Sequence, residues 1–256
     1  MRKARNRHDP TAIIAILLLL AACSPSSSRH STGLEVQKRT RHFIFRGENM
    51  ADEHYINETS KLLESSYIRI CDAIGYSPEG KIDVEVYSDL QKALGYPGPI
   101  NGYAGNGKIQ LNSPGNDSNY YQYMLKVPVH ELVHVIFNKA NNGLSERWIS
   151  EGLAEYLADG PRTKDTRNRY IKLAVDNGFD GGLHELSMAF SSRNADEAIT
   201  AYSIASDFVG FLVTRYGTTC IKELITDKME YEKVFDAPIQ DLYQDYKAEL
   251  RDRFRT

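Results

Sequence analysis

Residues 125–137 run Leu-Lys-Val-Pro-Val-His-Glu-Leu-Val-His-Val-Ile-Phe. So apolar a stretch has to be buried, and the ionisable side chains in its interior, His130, Glu131 and His134, are costly unless they find partners. His130 and His134 stand four apart, which on a helix places both imidazoles on one face, about 40° from each other. Pro128 lacks an amide hydrogen and is expected to start this helix or kink it just before the histidines. The fold must therefore be built around a buried helix presenting His130, Glu131 and His134 together. Two imidazoles so placed can reach one zinc ion at about 2.0–2.1 Å, and Glu131 is placed to point at a water on that metal.

A second segment completes the pattern. Trp148-Ile149-Ser150-Glu151-Gly152-Leu153-Ala154-Glu155-Tyr156-Leu157-Ala158 reads as a helix, stopped by Asp159-Gly160-Pro161, with glycine just past the end and proline beyond. Gly152 costs this helix about 1 kcal/mol relative to alanine. It predicts close approach to another backbone, for which the 130–134 helix is the expected partner. Glu151 then becomes the third metal ligand and leaves the fourth position for water, the arrangement of catalytic rather than structural zinc. Glu155, at i+4 from Glu151, is placed to accept the free ring N–H of a ligating histidine, which would set its tautomer.

HExxH followed by W-x-x-E-G-x-A-x-Y resembles the gluzincin zinc metallopeptidases and is most similar to small peptidase MA-like domains. The likeness covers roughly residues 41–250, with its specific motifs confined to 130–156. It implies a zincin-like fold, one zinc ion held by His130, His134 and Glu151, and Glu131 as general base. Sixteen residues separate His134 from Glu151, slightly fewer than in the related large aminopeptidases. The resemblance also implies a substrate-binding edge strand within Gly102–Asn112 and matches Tyr202 to a tyrosine that faces the zinc and can donate to an oxyanion. The aminopeptidase signature G-x-M-E-N is absent, and no glutamate there is placed to hold a substrate amino terminus. Endopeptidase chemistry is therefore expected, with a peptide or protein as substrate.

The first thirty residues read as an address. Arg2, Lys3, Arg5 and Arg7 precede an uncharged, almost wholly apolar run from Thr11 to Ala22. That run is too short for the ~20 residues that span a bilayer; a basic region followed by a short apolar one is a secretory signal, residues 1–22. Leu20-Ala21-Ala22-Cys23 resembles a bacterial lipobox, which implies lipidation of Cys23 and a membrane anchor. Ser24 after the cysteine favours, by the same resemblance, the outer membrane, with the domain facing the periplasm of the cell envelope. Residues 23–33 form a serine-rich tether and 34–256 the metallopeptidase domain. Loss of the signal, with four basic residues and Asp9, would take the formal charge from −3 to −6, so nucleic acid is not an expected partner. An oxidising compartment would permit a disulfide between Cys71 and Cys220. Nothing in the sequence specifies an oligomeric state.

Along the folded part, residues 41–46 read as a strand, 51–74 as a helix, 81–87 as a half-buried strand, 88–94 as a short helix and 95–107 as a loop. Lys108–Asn112 alternates and reads as a strand, a candidate for the sheet edge. From Tyr120 the pattern turns helical, with a helix opening at Ala201 and ending before Gly217, a lone His184 near a helix start, and a helical cover over 222–256. Strands before residue 115 and helices after it predict an α+β fold: a small mixed sheet with an edge strand in the N-terminal part, a helical C-terminal part, and the active-site helix between them. The expected function is a membrane-anchored zinc metallopeptidase. Its rivals are a non-catalytic envelope lipoprotein retaining the same fold and a zinc hydrolase of cell-wall amides.

Overall fold

The computed structural model describes residues 33–255 apart from 49–52, 116–117, 159 and 161. The signal, the lipobox with Cys23 and the tether up to residue 32 lie outside the described residues. Five strands, β1 (Glu35–Arg39), β2 (Phe43–Gly47), β3 (Ile82–Tyr87), β4 (Gly102–Gly105) and β5 (Lys108–Asn112), form one mixed sheet in the order β1-β2-β3-β5-β4. β2, β3 and β5 run parallel, and antiparallel β1 and β4 close the two sides. The α+β expectation holds, with the sheet N-terminal and the remainder mainly helical.

β2, β3 and β5 send Phe43, Phe45, Val84, Val86, Ile109 and Leu111 into the core, all fully buried. That face packs against α1 (Glu53–Ile74) and α4 (Val127–Ala140), and α1 also packs on α4. The short helix α2 (Leu90–Leu94) packs on β3 and β5, and α3 (Ser118–Met124) leads into α4 and packs on it. On the far side of α4 lies α5 (Arg147–Leu157), packed in turn on the long helix α8 (Ala195–Tyr216). Around α8 sit α6 (Lys164–Asp176), α7 (Leu183–Ala189), α9 (Cys220–Thr226), α10 (Tyr231–Phe235) and α11 (Ile239–Phe254). An aromatic cluster closes this half: Trp148 against Phe208 at 5.1 Å between ring centres, and Phe208 against Tyr243 at 4.9 Å.

Several expectations are corrected. Lys108–Asn112 is not the sheet edge; β5 lies between β3 and β4, and β4 is the edge. Gly102–Gly105, expected in a loop, is a strand because Asn106 and Gly107 both adopt positive φ, 52° and 73°, and close a two-residue hairpin. β1 is an addition: its polar sequence, Glu-Val-Gln-Lys-Arg, carries no apolar alternation to announce it. The helix expected to open at Ala201 begins at Ala195, where the Asn194 side chain accepts from the Asp196 amide. Tyr202 therefore lies two turns inside α8. Cys71 and Cys220 are both buried as free thiols, with no disulfide between them. Pro128 starts the helix rather than kinking it, occupying the first turn of α4 where no amide hydrogen is needed.

Gly152 does mark a close approach, but to α8 and not to α4. A Cβ built there would lie 2.6 Å from the carbonyl oxygen of Ala205. The opposite face of α5, carrying Glu151 and Glu155, is the one turned to α4. Because the obstacle at Gly152 is backbone, it cannot swing aside. Gly152→Ala is expected to destabilise the protein by about 1–3 kcal/mol, the usual cost of overpacking a tight core. Thermal unfolding checks this, and an unchanged or raised midpoint would show that α5 and α8 can separate freely.

Candidate metal centre

From Val127 to Phe137 every residue of α4 is buried, and from Trp148 to Glu155 every residue of α5 is too. Both helices are covered on all sides, so the polar groups they carry cannot turn to solvent. Those groups meet at the α4–α5 contact: His130, Glu131 and His134 from α4, and Ser150, Glu151 and Glu155 from α5, none more than 3% exposed.

Three donor atoms converge. Nε2 of His130 and Nε2 of His134 are 3.1 Å apart, and Oε2 of Glu151 lies 3.5 Å from the first and 3.4 Å from the second. Ligands at about 2.0–2.1 Å around a tetrahedral ion would be separated by about 3.3–3.4 Å, so the triangle matches one face of such a coordination shell. Both oxygens of Glu151 are buried without a hydrogen-bond partner. A buried carboxylate that makes no hydrogen bond is expensive, and a divalent cation at the centre of the triangle would relieve that cost. Burial alone would raise the Glu151 carboxyl, but His134 and His130 outweigh it and hold the group well below the usual range, as a ligating carboxylate requires. The two nitrogens and one oxygen suit a borderline first-row ion.

A family comparison bears directly on this cluster: the model of the Peptidase MA superfamily matches residues 63–256. The chain belongs to the Peptidase MA superfamily. The match begins within α1 and takes in every residue of the cluster; β1 and β2 precede it. No curated protein matches the chain. The superfamily is typically metal-dependent, and in this member His130, His134 and Glu151 are the residues that could hold the ion.

Further groups of this MA-superfamily member surround the triangle. Nδ1 of His134 is 3.0 Å from Oγ of Ser150, and Nδ1 of His130 is 3.5 Å from Oε1 of Glu155. The Ser150 contact engages His134 on its far nitrogen and turns its Nε2 toward the centre, whereas Nδ1 of His130 faces the Glu155 carboxylate without a hydrogen bond. Glu155 lies beside His130, but the hydrogen bond expected from the ring to its carboxylate is not formed. Arg147, four residues before Glu151 with its Nε 3.7 Å from Oε1 of that residue, was within reach of i, i+4 reasoning, whereas Ser150, next to Glu151, meets His134 only across the helix contact.

Glu131 is not one of the three converging ligands. Its Oε1 is buried without a hydrogen-bond partner, and burial pushes its carboxyl above the ordinary range, with His130 and His134 opposing and Glu151 reinforcing. It lies against the edge strand: a Cβ on Gly102 would sit 2.8 Å from Oε1 of Glu131 and 2.5 Å from Cγ1 of Val127. Only glycine lets β4 approach the acid so closely, so the backbone of the edge strand and the carboxylate share one wall of the site.

Tyr202 reaches the cluster from α8. Its ring centre is 6.4 Å from that of His130 and 4.8 Å from that of Phe190, and its hydroxyl is buried without a partner. Burial, reinforced by the Glu151 carboxylate, pushes the phenol well above its ordinary value, so it stays protonated and remains a donor. Two further residues escaped the sequence reading. Tyr123 of α3 lies within electrostatic reach of Arg162, Glu155 and Glu131. Arg162, beyond the end of α5, is ion-paired with Glu155 and lies over the Tyr202 ring. No local pattern marks either one. His184, at the first turn of α7, is exposed and takes no part.

Proposed function

We propose that this chain is a zinc-dependent endopeptidase, anchored to the bacterial envelope through a lipid on Cys23. The observation that carries the catalytic reading is the convergence of three unshared donor atoms from α4 and α5 beside a carboxylate, Glu131, that is not one of the three. Zinc in that position would act as a Lewis acid and make a bound water a nucleophile near neutral pH.

Glu131 accepts the proton of the attacking water and returns it to the amine that leaves, two steps that a buried carboxylate can perform in sequence. Tyr202 donates its hydroxyl hydrogen to the substrate oxygen as negative charge gathers there, a contribution worth about 3–4 kcal/mol for comparable donors. The free side of β4 offers backbone amides and carbonyls to an extended peptide, which would hold substrate without reading its side chains. Gly102 brings that edge within contact of Glu131, so a chain paired along β4 passes next to the general base. This arrangement favours cleavage within a chain over trimming from an amino terminus, for which no acidic anchor stands on β4.

The test uses the full chain loaded with zinc and offered unstructured casein. Near-equimolar zinc and fragments arising from internal cleavage are expected, with activity abolished by a chelator and restored by zinc. Release of peptidoglycan amides with casein untouched would instead identify a cell-wall amide hydrolase, and zinc binding with neither product would indicate a scaffold. Incorporation of labelled palmitate into the wild type but not into Cys23→Ser would support the anchor.

A further inference from the structure

We infer that Arg162 is a positioning residue that locks two parts of the site at once, the orientation of His130 through Glu155 and the placement of the Tyr202 phenol through its ring. The inference rests on His130 being a metal ligand and extends that reading to a residue outside the motif.

Arg162 lies five residues beyond α5, yet its side chain is only 8% exposed and Nη1 makes an ion pair with Oε1 of Glu155. That same oxygen faces Nδ1 of His130 at 3.5 Å, a charge contact and not a hydrogen bond. On its flat face the guanidinium lies 4.0 Å from the centre of the Tyr202 ring, a cation–π contact in a desolvated setting. Phe190 bounds the ring as well. The path of the chain enforces this return. A Cβ at Gly160 would fall 2.2 Å from Oε2 of Glu155, so the backbone passes hard against the carboxylate before Arg162 turns in. Downstream, Nη1 of Arg167 donates to the carbonyl of Arg162 at 2.6 Å and fixes its backbone.

A buried arginine–glutamate pair is a poor source of stability, and apolar residues of similar volume often serve as well or better. What such residues could not do is hold the Glu155 carboxylate toward an imidazole while stacking on a phenol. Arginine is suited to both tasks because its guanidinium is a donor fork at the edge and a planar cation on the face. Lysine could keep the charge near Glu155 but has no face for Tyr202, so the two roles separate by substitution.

The experiment measures zinc affinity by chelator competition, then kcat and KM on casein at saturating zinc, in the full chain. Arg162→Met and Glu155→Gln are each expected to weaken zinc by about 10–100-fold, the usual cost of losing an outer partner of a metal histidine. The double variant should be no weaker than the worse single one. It also removes the unpaired buried charge, so it serves as the readout if Arg162→Met alone does not fold. Arg162→Lys is expected to keep zinc affinity within about threefold and to lower kcat by roughly tenfold or more with little change in KM, as a misplaced catalytic group would. Wild-type zinc affinity in folded Arg162→Met, or in the double variant, would overturn the His130 limb. Unchanged kcat in Arg162→Lys would overturn the Tyr202 limb. A wild-type protein that binds no zinc would bring down the metal-site reading together with this one, an outcome distinct from either.

Discussion

Glu131→Gln should retain wild-type zinc content and lose casein hydrolysis by about 10²–10⁴ in kcat, the range that general acid–base groups contribute. Glutamine matches glutamate in size, so the buried wall formed by Glu131, Val127 and Gly102 keeps its packing. The ligand triangle is untouched, since Glu131 is not part of it. What changes is that an amide cannot take up a proton from water and hand it to an amine. Metal content by elemental analysis and turnover on casein report the two halves separately. Turnover near that of the wild type would remove Glu131 from the mechanism; loss of zinc with activity would instead make it part of the metal shell.

Glu151→Ala is the second large effect. The variant keeps His130 and His134 with Nε2 atoms 3.1 Å apart but loses the carboxylate that closes the triangle. Zinc stoichiometry should fall from near one to a small fraction under the same conditions. A bound ion stabilises only the folded state, by about 4 kcal/mol when present at a thousand times its dissociation constant. Wild-type thermal unfolding should therefore shift upward on adding zinc, by several degrees for a chain of this length, and Glu151→Ala should show little of that shift. The comparison is the zinc-induced shift within each protein, because removing Glu151 also takes away the carboxylate 3.7 Å from Nε of Arg147 and alters the metal-free stability. Equal zinc content in both proteins would reject Glu151 as a ligand and with it the proposed centre.

Legibility from sequence tracked how local each feature is. α4 and α5 could be read because their apolar runs are long and their polar residues recur at four-residue intervals, and the i, i+4 rule put Glu155 on the face of Glu151, where it lies 3.5 Å from His130. The central strand β3 could be read because Ile82–Tyr87 alternates. β4 was lost among glycines; its sequence, Gly-Tyr-Ala-Gly, has almost no strand propensity, and the Asn106-Gly107 turn was the signal that could have recovered it. Tyr202 was placed by likeness to relatives, and its helix was begun two turns late because Ala195–Thr200 carries few large apolar residues to mark a buried face.

The helical period alone brought His130 and His134 onto one face, set Glu131 beside them and aligned Glu151 with Glu155, because a helix holds residues three and four apart in fixed relation whatever surrounds it. Which helix Gly152 must clear, that β4 and not β5 forms the edge beside Glu131, and that Arg162 returns to clasp Glu155 and Tyr202 were decided only by the tertiary packing, with α5 held between α4 and α8. Such contacts join residues whose separation along the chain carries no period, so no spacing in the sequence announces them.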